Sequence, residues 1–347
     1  MSEAERKRRA ALEAAGGAPL VVSAPENVRW LLCGRGRPVD VGSADYTVVL
    51  RDGEAFVLYA GIEQSRVESE ERFEELGYEP IPFPWHEGRE ATVSRLAPRA
   101  RTDGELEREL APHRQGLGDE EVERYRAAGA DAAAAFVEAI GTLRPELTEL
   151  EAAGELARAT RNRDLIARVN LVAGEERQPV HRHPLPTSAP LGRHALLAFT
   201  VERDGLHVSM TRIVSFGPPP ERLVHLVRAA AEVDAAVISA SRPGARHGEL
   251  FDVIAEAYER AGFSEEWRRH HQGGLTGYKG REVFAVPGEP TPLPPAGAVA
   301  WNPSITGGGK SEDTVLVTAA GHEILTRTPE LPELETAGLP RPAIVEL

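Results

Sequence analysis

The chain is 347 residues long and carries 40 Lys and Arg against 54 Asp and Glu, a formal net charge of −14 at pH 7. At roughly 100 to 200 residues per domain, that length predicts two domains, each able to bury its own core, and excludes a small disulfide scaffold. The acidic balance argues against nucleic acid or an anionic membrane as partner, and 41% apolar with 27% charged residues excludes a disordered or collagenous chain.

Cys33 is the only cysteine, which forbids an intrachain disulfide and any cysteine-rich metal site; its apolar surroundings at 30–33 read as those of a small buried thiol. Residues 1–15 mix Lys and Arg with Glu and read as a polar helix rather than a signal peptide, and no stretch approaches the ~18 apolar residues of a membrane span. A cytoplasmic protein is expected.

In chain order, β-rich runs at 20–23, 28–32, 46–50 and 55–59 come first, the last two joined by Asp52-Gly53 as a hairpin. A helix over 62–76 and a strand-like piece at 80–85 complete a first α/β domain. Residues 99–114 are charged and contain Pro112, and Gly116 and Gly118 precede a helix starting at Asp119, a good N-cap followed by Glu120 and Glu121. Domains of 1–118 and 119–347 are expected.

The helix from Asp119 should run to about Gly141, and Thr148 with Glu151 forms a capping-box pattern for the next. Strands follow at 168–172, 195–201 and 206–214, the last two joined through Asp204-Gly205; then helices at 221–239 and 249–261, and strands at 298–301, 314–318 and 323–326. Paired helices between antiparallel strands predict an α+β fold, not a doubly wound parallel sheet.

Six blocks then appear in order: His181-Arg182-His183-Pro184; Asp204-Gly205 through Thr211-Arg212; His271-Gln272-Gly273-Gly274 through Gly277; Arg281-Glu282; Trp301-Asn302-Pro303; and Ser311-Glu312-Asp313 through Thr318. Together they resemble the creatinase and aminopeptidase P (Xaa-Pro peptidase) branch of the M24 peptidase family. The resemblance implies a pita-bread catalytic domain over the C-terminal two thirds and a smaller creatinase-type α/β domain before it. It also implies a homodimer.

The family's metallopeptidases hold two divalent metals with two Asp, one His and two Glu, which offset the dications and leave an edge for a bridging water. Carried over by the resemblance, the first Asp falls on Ala198, the second on Ser209, the His on Gly274 and one Glu on Asn302; only Glu312 remains. One carboxylate cannot assemble a dinuclear site, so no metal and no other cofactor is expected.

Creatinase, in the same branch, works without metal, using a histidine for proton transfer. The resemblance puts His181 at that position, where an imidazole of ordinary pKa suits both abstraction and return of a proton. His183 is two residues away, so the registration can slip by one histidine, and a solvent-exposed loop histidine is the plainer alternative. Arg281 replaces the family's His before Glu282; a permanent cation can clamp a carboxylate, or it can simply pair with Glu282. His271 lies beside glycines that let the backbone approach a ligand. Lys310 shares a strand face with Glu312, with a surface ammonium as the default reading. Arg212 reads as a buried anchor, and 306–309 lacks the Gly-Lys-Ser/Thr ending of a phosphate loop.

The expected activity is creatinase-like, metal-independent hydrolysis of a C–N bond in a small carboxylate-bearing amide, amidine or peptide-like substrate. His181, Glu312 and Glu282 are the expected catalytic residues, with Arg281, His271, Asn302 and Tyr278 binding substrate. The alternative is a catalytically silent relative that binds a peptide or protein. Lower in rank stand an active metal-dependent Xaa-Pro aminopeptidase or dipeptidase, and a metal held by His181, His271 and Glu312.

Overall fold

In the computed structural model, which describes residues 1–40 and 45–347, the first unit, Met1–Glu121, is built on strands β1 (Leu20–Val22), β2 (Tyr46–Arg51), β3 (Glu54–Ala60), β4 (Glu79–Phe83) and β5 (Arg101–Thr102). They form one sheet in the order β4-β3-β2-β1-β5. The β2–β3 hairpin turns at Asp52-Gly53, where Gly53 has φ +71° and needs no Cβ. Residues 28–32, expected as a strand, lie instead in a helix over Pro25–Leu31. Pro25 opens its first turn and Glu26 favours its N-terminus, so helix-start chemistry overrides the apolar run. The expected helix over 62–76 is broken into short turns of differing pitch, because Arg72 sits in the left-handed region at φ +44°. A short helix, Glu107–Gln115, carries Pro112 within it.

The helix over Asp119–Ile140, which begins in the last residues of the first unit, leads into the second unit, Val122–Leu347, and to a helix over Glu149–Arg161. The latter is capped by Thr148, whose hydroxyl accepts from the Glu151 N–H at 3.2 Å. Then come β6 (Ile166–Gly174), β7 (His194–Arg203) and β8 (Leu206–Ser215), an antiparallel meander. The β7–β8 turn uses Asp204 and Gly205, at φ +53° and +79°. Two positive φ values in succession give the turn whose twist matches the flanking strands. Helices over Glu221–Ala240 and His247–Arg260 precede β9 (Gly273–Thr276), β10 (Val283–Phe284), β11 (Ala296–Trp301), β12 (Ser304–Ile305), β13 (Gly309–Lys310), β14 (Asp313–Thr318) and β15 (Gly321–Ile324).

Five of these make a second sheet, β10-β9-β11-β14-β15. The two helices cover it through Val233, Val237 and Ile254, packed on Leu275, Val299 and Val315. After the hairpin β16 (Glu333–Thr336) and β17 (Leu339–Pro342), β18 (Val345–Glu346) pairs with the end of β8. The other sheet of this unit is β18-β8-β7-β6, with β6 at its edge.

The rest of β8 bonds to the second sheet. Its His207 N–H donates to Gly277 O at 2.9 Å, the Ser209 N–H to Thr314 Oγ1 at 2.8 Å, and the Thr211 N–H to Glu312 O at 3.1 Å. Every second residue of one strand thus ties the two sheets at an angle, and the space between them opens away from β8.

Candidate active site

That space is a cavity of about 250 Å³, and His183, His271, Arg281, Asn302, Lys310 and Glu312 are among its lining residues. Glu312 starts the turn into β14, and its carboxylate is buried at 6% side-chain exposure. Lys310 Nζ lies 3.3 Å from Oε2, Arg281 Nη2 3.2 Å from Oε1, and Thr211 Oγ1 donates to Oε2 at 2.7 Å. Burial pushes the Glu312 carboxyl up, but Lys310 and Arg281 outweigh it and hold it below the ordinary value. Two cations on one carboxylate leave a positive charge in the cavity, which favours an anionic ligand.

The histidines add little to that charge at neutral pH. Burial, followed by the field of Lys310, lowers the pKa of His183 and strongly that of His270. Burial with Arg281 lowers His271 to about 4. The three rings form a cluster: His183 Nε2 and His270 Nε2 are 3.0 Å apart, and His270 Nδ1 is 3.1 Å from Ser304 Oγ. Ser304 Oγ in turn accepts from Arg182 Nη1 at 2.7 Å, and Arg182 pairs with Glu266. Since a hydroxyl both donates and accepts, this chain can run in either direction. His183 Nδ1 then carries a proton in one direction and a lone pair in the other, as proton transfer requires.

Of the expected site residues, the structure brings Glu312, Arg281, His271 and Asn302 together at the cavity. The loop histidine among the cavity's lining residues is His183, while His181 lines a neighbouring depression with Gln178 and Thr306; both histidines are exposed, and Lys310 borders both spaces. Glu282 accepts from the Lys279 N–H at 3.1 Å beside Gly277 and is absent from the cavity's lining, as is the buried Tyr278. Arg281 contacts Glu312, not Glu282, which joins the two blocks that the sequence left separate. Sequence reasoning undervalued Lys310, whose side chain is only 5% exposed. Its spacing of two from Glu312 was the one available signal, although Ser311 and Glu312 lie between β13 and β14 and not on one strand face as expected. Arg212 is a buried anchor, donating to Asp313 Oδ1 at 2.9 Å and to Thr326 O at 2.9 Å.

The lining does not fit a pair of divalent metals. Glu312 is its one carboxylate, and both oxygens already hold Lys310, Arg281 and Thr211. Ala198 offers a methyl group, and Gly274, at φ +148°, could not carry a side chain: a Cβ there would lie 2.1 Å from Val283 O. The neutral oxygen of Asn302 does not replace a carboxylate beside two cations.

The sequence profile described as metallopeptidase family M24 matches residues 123–319, more than half of the chain. The chain belongs to this family. Its fold is that of M24 peptidases of the Xaa-Pro branch. The X-Pro aminopeptidase of Thermotoga maritima MSB8 is 17% identical, at a TM-score of 0.74 over 99% of this chain and 100% of that one. The dipeptidase PepE of Mycobacterium ulcerans is 18% identical, at 0.73 over 99% and 98%. The same M24 fold is also similar to the N-terminal domain of FACT complex subunit SPT16 from Cicer arietinum, 11% identical, at 0.68 over 94% and 96%. A comparison with curated protein sequences finds no match.

Proposed function

We propose that this M24 protein is a hydrolase that cleaves a C–N bond of a small carboxylate-bearing amide, amidine or peptide-like substrate without a dinuclear metal centre. The observation that carries the reading is the occupation of Glu312 by Lys310 and Arg281 within a cavity faced by the neutral His183. The net positive charge draws the substrate's carboxylate, with Arg281 as clamp and His271 and Asn302 as further binding groups. His183 Nδ1 takes the proton of the attacking water and returns it to the departing nitrogen, while the His270–Ser304 chain adjusts its hydrogens. Glu312 holds the two cations in place. In this reading His183 replaces His181 as the proton-transfer group, and Glu282 and Tyr278 support the loop around Arg281. The protein acts in the cytoplasm, as a homodimer.

The test is a screen of carboxylate-bearing amides, amidines and proline dipeptides, with and without chelator. Turnover that survives chelator and is lost in His183→Ala supports the proposal; turnover abolished by chelator overturns it. A silent binding role is favoured by one observation, the occurrence of this fold in a domain of a complex subunit. No turnover, together with tight binding of an uncleaved peptide, would select that role.

A further inference from the structure

The side chains of β8, β7 and β6 that face the cavity stand in two cross-strand rows, Ser209–Thr200–Val169 and Thr211–Ala198–Leu171. At the β8 end, Ser209 Oγ lies 3.4 Å from Arg281 Nη1 and Thr211 holds Glu312, so both rows begin at the charged cluster. At the β6 end, the edge strand of the sheet, they finish in the exposed Val169 and in Leu171, which lines the cavity but is buried in the core. Facing them, on the edge strand β10 of the other sheet, is Phe284, 45% exposed and packed edge-on against His271 at 5.1 Å. Two strand spacings separate the charged end from the apolar edge, about 10 Å. Within the same cavity, the Asn302 side chain is 2% exposed, and its Oδ1 has no hydrogen-bond partner. Leaving a buried amide oxygen unpartnered is unfavourable unless a ligand donates to it.

These three features specify one ligand type. We infer that the substrate is an N-acyl amino acid, with its carboxylate at Arg281 and Lys310, its amide N–H on Asn302 Oδ1, and its apolar acyl arm leaving between Val169, Leu171 and Phe284. The inference rests on the hydrolase reading for its chemistry. Water adds its hydroxyl to the acyl carbon as the C–N bond breaks, and its proton goes to the nitrogen, giving a fatty or aryl acid and a free amino acid with no other reactant.

Calorimetric titration of the full chain with N-acetyl-, N-butanoyl-, N-hexanoyl- and N-octanoylglycine tests the binding directly. Affinity should rise about threefold to fourfold per methylene until the arm clears the edge strands. N-methylhexanamide, which lacks the carboxylate, and hexanoate, which lacks the amide, should each bind at least tenfold more weakly than N-hexanoylglycine. Val169→Asp, at a half-exposed edge position that tolerates the change, should flatten the chain-length series. Asn302→Leu should remove the preference for the amide over the matching O-acyl glycolate. A flat series in the wild type, or equal binding of N-methylhexanamide, overturns the inference. Graded binding with no release of amino acid upholds the ligand class and rejects the hydrolase reading. Turnover of a hydrophilic amide with a flat series does the reverse.

Discussion

At the scale of single residues, the site depends on which histidine reaches the cavity. His183→Ala should cut turnover about a hundredfold to ten-thousandfold, the range for loss of a general acid or base. His181→Ala, at a residue outside the cavity's lining, should leave it unchanged. Steady-state rates on one substrate decide between them, and the opposite pattern would restore the registration expected from sequence. Burial and Lys310 hold the His183 pKa below its ordinary value, so the acid limb of kcat/KM should lie at lower pH than an ordinary histidine would give. Stability has a related signature. His271 stays neutral in the folded protein down to about pH 4, whereas an unfolded chain protonates it near 6.5. Between those values the unfolded state binds more protons, so this residue contributes nothing above pH 6.5 and lowers stability progressively as pH falls towards 4. Thermal unfolding at pH 7 and pH 4.5 should show a smaller loss for His271→Gln than for the wild type.

At the scale of elements, the contact between β9 and β10 sets the shape of the cavity. Phe284 pairs with Gly274 in register, and the backbones approach so closely that a Cβ on Gly274 would meet Val283 O at 2.1 Å. Gly274→Ala should therefore destabilise the fold by at least about 1–3 kcal/mol, the cost of a strained backbone region, as measured by urea denaturation. Wild-type stability in that variant would mean that the two strands separate readily. Gly274→His should fail to create a metal ligand for the same reason. Elements whose signals are local were legible from the sequence: the hairpin at Asp204-Gly205 and the capping box at Thr148 both form. The run 28–32 was misread because a short apolar stretch has no period that separates strand from helix.

At the scale of the whole molecule, ionic links join segments far apart in the chain. Arg341 Nη2 donates to Asp234 Oδ2 at 2.5 Å and to Asp313 Oδ2 at 2.9 Å, while Arg212 takes the other oxygen of Asp313 at 2.9 Å. All four groups are buried, so the network fastens the β17 hairpin and the helix over Glu221–Ala240 to the strand that begins beside Glu312. Removing one partner leaves a buried charge uncompensated. Asp234→Ala should cost about 3–5 kcal/mol, seen as a lower urea midpoint with an unchanged slope. A loss under about 1 kcal/mol would show that water reaches Arg341 once the carboxylate is gone.

The sequence by itself determined the family, the α+β fold, the hairpins and caps, and the presence of Glu312, Arg281, His271 and Asn302 among the chemically capable residues. Those features are written in short-range patterns and in the order of blocks, which depend on neighbours a few residues apart. Only the tertiary structure decided that Arg281 and Lys310 share Glu312, that His183 and not His181 joins His270 and His271, and that Val169 and Phe284 face the same opening. Each of these brings together segments some 30 to 115 residues apart across two sheets hinged on β8. Their proximity follows from strand register and sheet order, quantities set by the packing of the whole core and not by any local run of residues.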